Sequence, residues 1–167
     1  MPASSKNLEP TAQHLLKQAL KATASAPNEA SLRHELEKAL ETCCEQLGVA
    51  WTPFRLDLAL TGVETKQTRY ADVAHGAVVI EYERPNSLAK GQRQLLHAQE
   101  QAEDYARLLA GQEGRMAGDY ALVVWDGSHI AFGRLDSDSS KWDALTQFGT
   151  ASAKRLLGAL AADGIPL

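Results

Sequence analysis

Asp72, Glu81 and Glu83 lie in the short stretch RYADVAHGAVVIEYERP, which spans Arg69 to Pro85. Two runs of small and β-branched residues flank His75-Gly76, so the stretch reads as a β-hairpin around a two-residue turn. On that register Ala74 faces Ala77 and Asp72 faces Val79. Asp72, Val79, Glu81 and Glu83 then share one side of the sheet, with Asp72 diagonal to Glu81 at roughly 7–8 Å. Bare carboxylates that close repel one another, and burial adds a desolvation cost. A divalent cation removes both problems, because hard oxygen ligands at this spacing suit Mg²⁺ or Mn²⁺. The chemistry such a site supports is metal-assisted hydrolysis. The same acids on an open sheet face would be a solvated charge ladder paired with Lys66, Arg69 or Arg84, and the stretch alone leaves both readings open.

The elements that must position these acids follow from hydrophobic period. MPASSKNLEP is polar and reads as a loose leader, and TAQHLLKQALKATAS suits a short amphipathic helix that Pro27-Asn28 stops. Asn28 or Ser31 can cap the strongest helix, ASLRHELEKALETCCEQLG, with an apolar stripe at Leu32, Leu36, Ala39, Leu40, Cys43 and Leu47 and Gly48 as its C-cap. Alternation at Phe54, Leu56, Leu58 and Leu60 marks a strand. After the hairpin, SLAKGQRQLLHAQEQAEDYARLLAG is a second long helix ending at Gly111, and DYALVVWDGSHIAFGRL reads as two strands about an Asp126-Gly127 turn. The segment from Ser139 onward is expected to form one or two closing helices. The fold class is therefore mixed α/β (α+β): a central mixed sheet of about four or five strands flanked by helices. The expected organisation is a leader and short helix over residues 1–27, then a single domain over 28–167. The close at DGIPL, just after a helix, suits a module of something larger.

Composition constrains partners. The chain has 167 residues, 17 basic and 21 acidic, for a net charge of −4. That is unlike a stand-alone nucleic-acid binder, which usually carries a basic surplus. It is compatible with an acidic cluster balanced by metal, or with other domains that grip a polyanion. No run approaches the roughly 18 apolar residues of a membrane span, and no signal-peptide core opens the chain, so the expectation is a cytoplasmic protein with no membrane partner. Adjacent Cys43 and Cys44 have no second pair and read as reduced core thiols.

Asp72, the apolar VVI and then Glu81-Tyr82-Glu83 resemble the active-site hairpin of the PD-(D/E)XK nuclease superfamily. Gln101 and Tyr105, in the helix that follows, match the Q-x-x-x-Y of its RecB-like branch. The phrase IEYERPNSL looks like nuclease domains at the N-termini of restriction-modification proteins. The resemblance covers roughly residues 29–135 and is specific in 69–105. It implies a restriction-endonuclease-like core, DNA as partner, further domains or subunits that choose the sequence, and Mg²⁺ (or Mn²⁺) held by Asp72, Glu81 and Glu83. It also implies that Gln101 and Tyr105 hold a water, a carboxylate or a phosphate. An acid on the preceding helix, Glu35 in preference to Glu29, would join them. One departure is clear: Glu83 stands where the superfamily usually has lysine. Lys90, or less well placed Arg84, could supply the missing positive charge as a phosphate contact. The alternative is a catalytically inactive nuclease-like domain that binds DNA or docks a protein.

The remaining candidates read as structural. His14, His34, His75, His97 and His129 form no metal or relay pattern and are expected at surfaces and turns, with His97 near enough to Gln101 to reach a phosphate. Trp125 and Phe132 are expected in the core, and Asp136 and Asp138 in a polar loop.

Overall fold

The computed structural model describes residues 5–51, 53–55, 72–137 and 139–164. Asn28 accepts the Ser31 N–H at 2.8 Å and starts helix α2, Glu29–Leu47, which closes on Gly48 in the left-handed region. The predicted stripe is buried as expected. Burial pushes the Cys43 thiol up to about 11 and Cys44 to about 12, so both remain protonated packing groups. Helix α1, Ser5–Ser25, starts well before the expected short helix and has Pro10 inside it. Its Ala12, Leu15, Ala19 and Ala22 join the core, so the segment expected as leader and short helix is largely part of the fold.

Strand β1 is Pro53–Arg55, β2 Asp72–His75 and β3 Val78–Tyr82. Leu56, Leu58, Leu60, Lys66 and Arg69 lie outside the described residues. Helix α3, Gln92–Glu113, crosses over from β3 to β4, Ala121–Trp125, which pairs parallel with β3. The helix passes Gly111 and ends on Gly114 instead. Strands β5 (His129–Asp136), β6 (Ser139–Trp142) and β7 (Thr146–Gln147) complete the described sheet, and helix α4 (Thr150–Gly164) closes the chain. The order is β1-β2-β3-β4-β5-β6, with β7 also on β5, and only β3–β4 is parallel among these pairings.

Where helix was expected after Ser139, two short strands stand first. The reason is a close packing: Trp142 sits opposite Gly133, where a Cβ would run into the indole. The indole N–H of Trp142 donates to Glu103 of α3 at 2.8 Å. Tertiary contact thus overrides a local sequence with no strong strand signal.

The sheet is covered on both faces. Val73, Val78, Ile80, Tyr82, Val123 and Trp125 pack with α1, α2 and α4. Ala74, Val79, Leu122, Val124 and Leu135 pack against Ala98, Ala102, Ala106 and Leu109 of α3, whose small residues allow close approach. Strands β3 and β4 are therefore buried along their whole length, the environment of a near-continuous apolar run.

Asp126, at the end of β4, is completely buried and ties two connections together. It accepts the Leu88 N–H at 2.9 Å, from the 3₁₀ turn ahead of α3. It also accepts the Ser128 N–H at 2.9 Å, the Ser128 hydroxyl at 3.0 Å and the His129 N–H at 2.7 Å. Asp126→Ala leaves those donors unpaired and is expected to cost about 2–4 kcal/mol in urea unfolding; a loss under about 0.5 kcal/mol would show that the network contributes little.

Candidate functional site

The hairpin turns one residue later than its sequence suggests. Gly76 and Ala77 form the turn, with Gly76 at φ 58°, while His75 pairs with Val78 inside the strands. A left-handed φ at the first turn position favours glycine over histidine. The slip has a consequence: Asp72 stands directly across from Glu81 rather than from Val79. Directly opposed residues belong to one face and are the closest cross-strand neighbours. Asp72 is described by its backbone alone.

Glu81 occupies the middle of the sheet, between Asp72 on β2 and Val124 on β4. It is 2% exposed, and by alternation from Val79 it belongs to the face covered by α3. Among the described residues, its Oε2 atom is buried without a hydrogen-bond partner. A carboxyl oxygen so placed costs free energy unless a cation or donor meets it.

Glu83 lies just beyond β3, where its N–H donates to the Trp125 carbonyl at 3.0 Å. Its Oε1 accepts the Gln94 amide at 3.2 Å, and its carboxyl hydrogen-bonds Glu29, the first residue of α2. Burial first, then the hydrogen bond and negative charge of Glu29, raise the Glu83 pKa to about 8. Glu83 therefore keeps its proton at neutral pH. The helix acid that meets the hairpin is Glu29, because it opens α2 at the end of β3; Glu35 is exposed further along the helix.

Gln101 is half-buried on α3 and its amide lies 2.6 Å from the His97 ring nitrogen, on its own helix. Tyr105 packs partly against the α3-side core. Arg84 and Lys90 are exposed at the β3–α3 connection and line a concavity with Arg93 and Gln94.

His75, expected in the turn, is buried on the opposite face. Its Nε2 lies 3.1 Å from Glu37, its ring stacks on Trp51 at 4.3 Å, and the Tyr82 hydroxyl donates to the same Glu37 carboxylate. Burial and the Glu37 charge hold the Tyr82 phenol well above its usual range, so it remains a hydrogen-bond donor. Glu37 on α2, with His75 on β2 and Tyr82 on β3, left no short-range signal, since their contact is purely tertiary. Trp125 and Phe132 are core residues as expected, Asp136 is exposed with Lys141 at 3.6 Å, and Asp138 lies outside the described residues.

Among the described residues, no three His, Cys, Asp or Glu side chains are grouped to hold a metal ion. No described helix is long and apolar enough to cross a membrane. Comparison with known proteins finds no matching family model, curated protein or solved structure.

The Glu83 environment has a pH signature. Between its ordinary pKa of 4.5 and about 8, the folded protein holds a proton that the unfolded chain has lost, so this group's contribution to stability falls as pH rises through that window. Glu83→Gln removes the loss. Urea unfolding is expected to show no advantage for the variant near pH 5 and a gain on the order of 1–3 kcal/mol near pH 9. A difference that does not change with pH would contradict the assignment.

Proposed function

We propose that this chain is a metal-dependent DNA phosphodiester hydrolase with a restriction-endonuclease-like core, in which Asp72 and Glu81 hold Mg²⁺ or Mn²⁺. The observation that carries the reading is the buried Glu81 oxygen, without a partner among the described residues and directly across the hairpin from Asp72. Mg²⁺ characteristically takes one or two protein carboxylates and completes its shell with water and substrate phosphate, so this pair fits it without a third acid. Such an ion supplies Lewis-acid stabilisation of the charge that develops on the transferred phosphoryl group.

The chain's own residues account for the rest. Glu83 is a neutral carboxylic acid near neutral pH, so its place in the lysine position adds no negative charge to the site. Its proton suits donation to a leaving oxygen better than metal ligation. Gln94 fixes the Glu83 carboxyl. Gln101 and Tyr105 sit on the helix that covers the Glu81 face, where they would orient water or phosphate. Lys90 and Arg84 would draw the DNA backbone toward the acids. A net charge of −4 leaves sequence choice to further domains or subunits.

The engagement of Glu83 with Glu29 and Gln94 also favours a second reading, a non-catalytic nuclease-like domain that binds DNA or docks a protein. The two readings separate by experiment. Under the first, Mn²⁺ raises the melting temperature, plasmid DNA is cut with Mg²⁺ or Mn²⁺ and not with EDTA, and Asp72→Ala and Glu81→Gln each lower cleavage by about a hundredfold or more. Glu81→Gln, freed of a buried acid without a partner, is also expected to unfold later than the parent in EDTA and to lose the Mn²⁺ shift. Full cleavage by both variants would refute the first reading. Salt-sensitive DNA binding with no heat of divalent-metal binding would select the second.

A further inference from the structure

A concavity of about 610 Å³ opens between the α1–α2 junction and the β3–α3 connection. Asn28 lines one side; Arg84, Lys90, Gly91, Arg93 and Gln94 line the other. All of its charged lining residues are cations. Residues 84–99 contain no acid at all, although the whole chain carries a net charge of −4. Among the described residues, Arg84, Lys90 and Arg93 form no ion pair.

The backbone adds to this charge. Helix α3 starts at Gly91 with no side-chain cap and no acid in its first turn, so no capping side chain occupies its leading N–H groups at the positive dipole end. Helix α2, which reaches the same place, is capped by Asn28 and begins with Glu29. The wall is firm. Arg84, Pro85, Asn86 and Ser87 make a tight turn, with Asn86 at φ 61° and Ser87 bonded to the Arg84 carbonyl by both its N–H at 3.1 Å and its hydroxyl at 2.7 Å. The turn is preformed by proline and by an asparagine that tolerates the left-handed region.

We propose that this pocket binds a terminal phosphomonoester of a nucleic-acid strand, seated on the α3 N-terminus among Arg84, Lys90 and Arg93. Three cations and a helix dipole favour a phosphomonoester dianion over the single charge of an internal phosphodiester. The volume suits a nucleotide-sized group, in the range of about 300–1,000 Å³ typical of ligand pockets, and a concave pocket takes a chain end better than a strand passing through. Gln94 lines the pocket and also donates to Glu83 at 3.2 Å, so an end held there lies beside the carboxylate site. That the ligand is a nucleic acid rests on the hydrolase reading above; that the pocket takes a phosphomonoester does not. Phosphorylated strand ends thereby become the preferred substrate.

The test uses the full chain in EDTA, where hydrolysis is off, and fluorescence anisotropy with labelled single strands of one sequence. The strands end in a 5′-phosphate, a 3′-phosphate or hydroxyls. One phosphorylated strand is expected to bind about tenfold tighter than the hydroxyl strand. Lys90→Ala/Arg93→Ala, both at exposed positions, is expected to reduce that preference below about twofold with an unchanged circular-dichroism spectrum, and Arg93→Glu to do the same. Equal binding of all three strands would overturn the proposal, as would a preference that survives both variants. A nucleoside monophosphate that competes as well as the phosphorylated strand would overturn the strand-end assignment. Cleavage in Mn²⁺ is read separately: phosphate-dependent binding without cleavage refutes the hydrolase and leaves the pocket, and cleavage indifferent to end phosphates does the reverse.

Discussion

An acid in the middle of a strand buried on both faces is the constraint on which the rest of this structure turns. Glu81 is flanked along β3 by Val79, Ile80 and Tyr82, and β4 beside it is apolar from Ala121 to Trp125. A valine at position 81 would match those neighbours and remove a polar atom that has no partner among the described residues. Within β3 the rules of burial are broken at Glu81, and the residue opposite is another acid. Such local violations concentrate where a protein gives up stability for function.

The architecture around that residue directs several polar groups to one end of the sheet. The parallel β3–β4 pair, joined through α3, sends both strands toward the same end, where a helix start follows β3 directly. Crevices outside the carboxyl ends of parallel strands are the usual place for ligands in such folds. There Glu29, Glu83 and Gln94 are linked, and Asp126 binds the 3₁₀ turn ahead of α3 to the β4–β5 turn. Carboxyl groups are thus held at the sheet, with Glu83 keeping its proton, and the cations Arg84, Lys90 and Arg93 lie on the connection just beyond.

Much of this was legible in the residues because local chemistry decides it. Helix α2 carries its own start and stop in Asn28 and Gly48, and the stripe from Leu32 to Leu47 is long enough to leave no doubt of the period. The β3 and β4 runs are apolar and short, and the mixed α/β class follows from their alternation with helices. What was not legible depends on tertiary contact or on one residue of register. The hairpin reads as turning on His75-Gly76, and the left-handed φ of Gly76 as first turn residue instead sets Asp72 opposite Glu81 rather than Val79. Trp142 has no strand signal until Gly133 leaves room for its ring. Glu29 ranked behind Glu35 as the helix acid, and its meeting with Glu83 depends on where α2 lands against the sheet. His75 read as a turn residue because its partners, Glu37 and Trp51, are distant in the chain.

The central claim is that the opposed acids of β2 and β3 seat a divalent ion. Anomalous diffraction from crystals grown with Mn²⁺ tests it without recourse to activity. The account predicts a single strong anomalous peak within ligand distance of carboxylate oxygens from both Asp72 and Glu81. A map with no such peak, and with the Glu81 oxygen bonded to a protein donor instead, would contradict it.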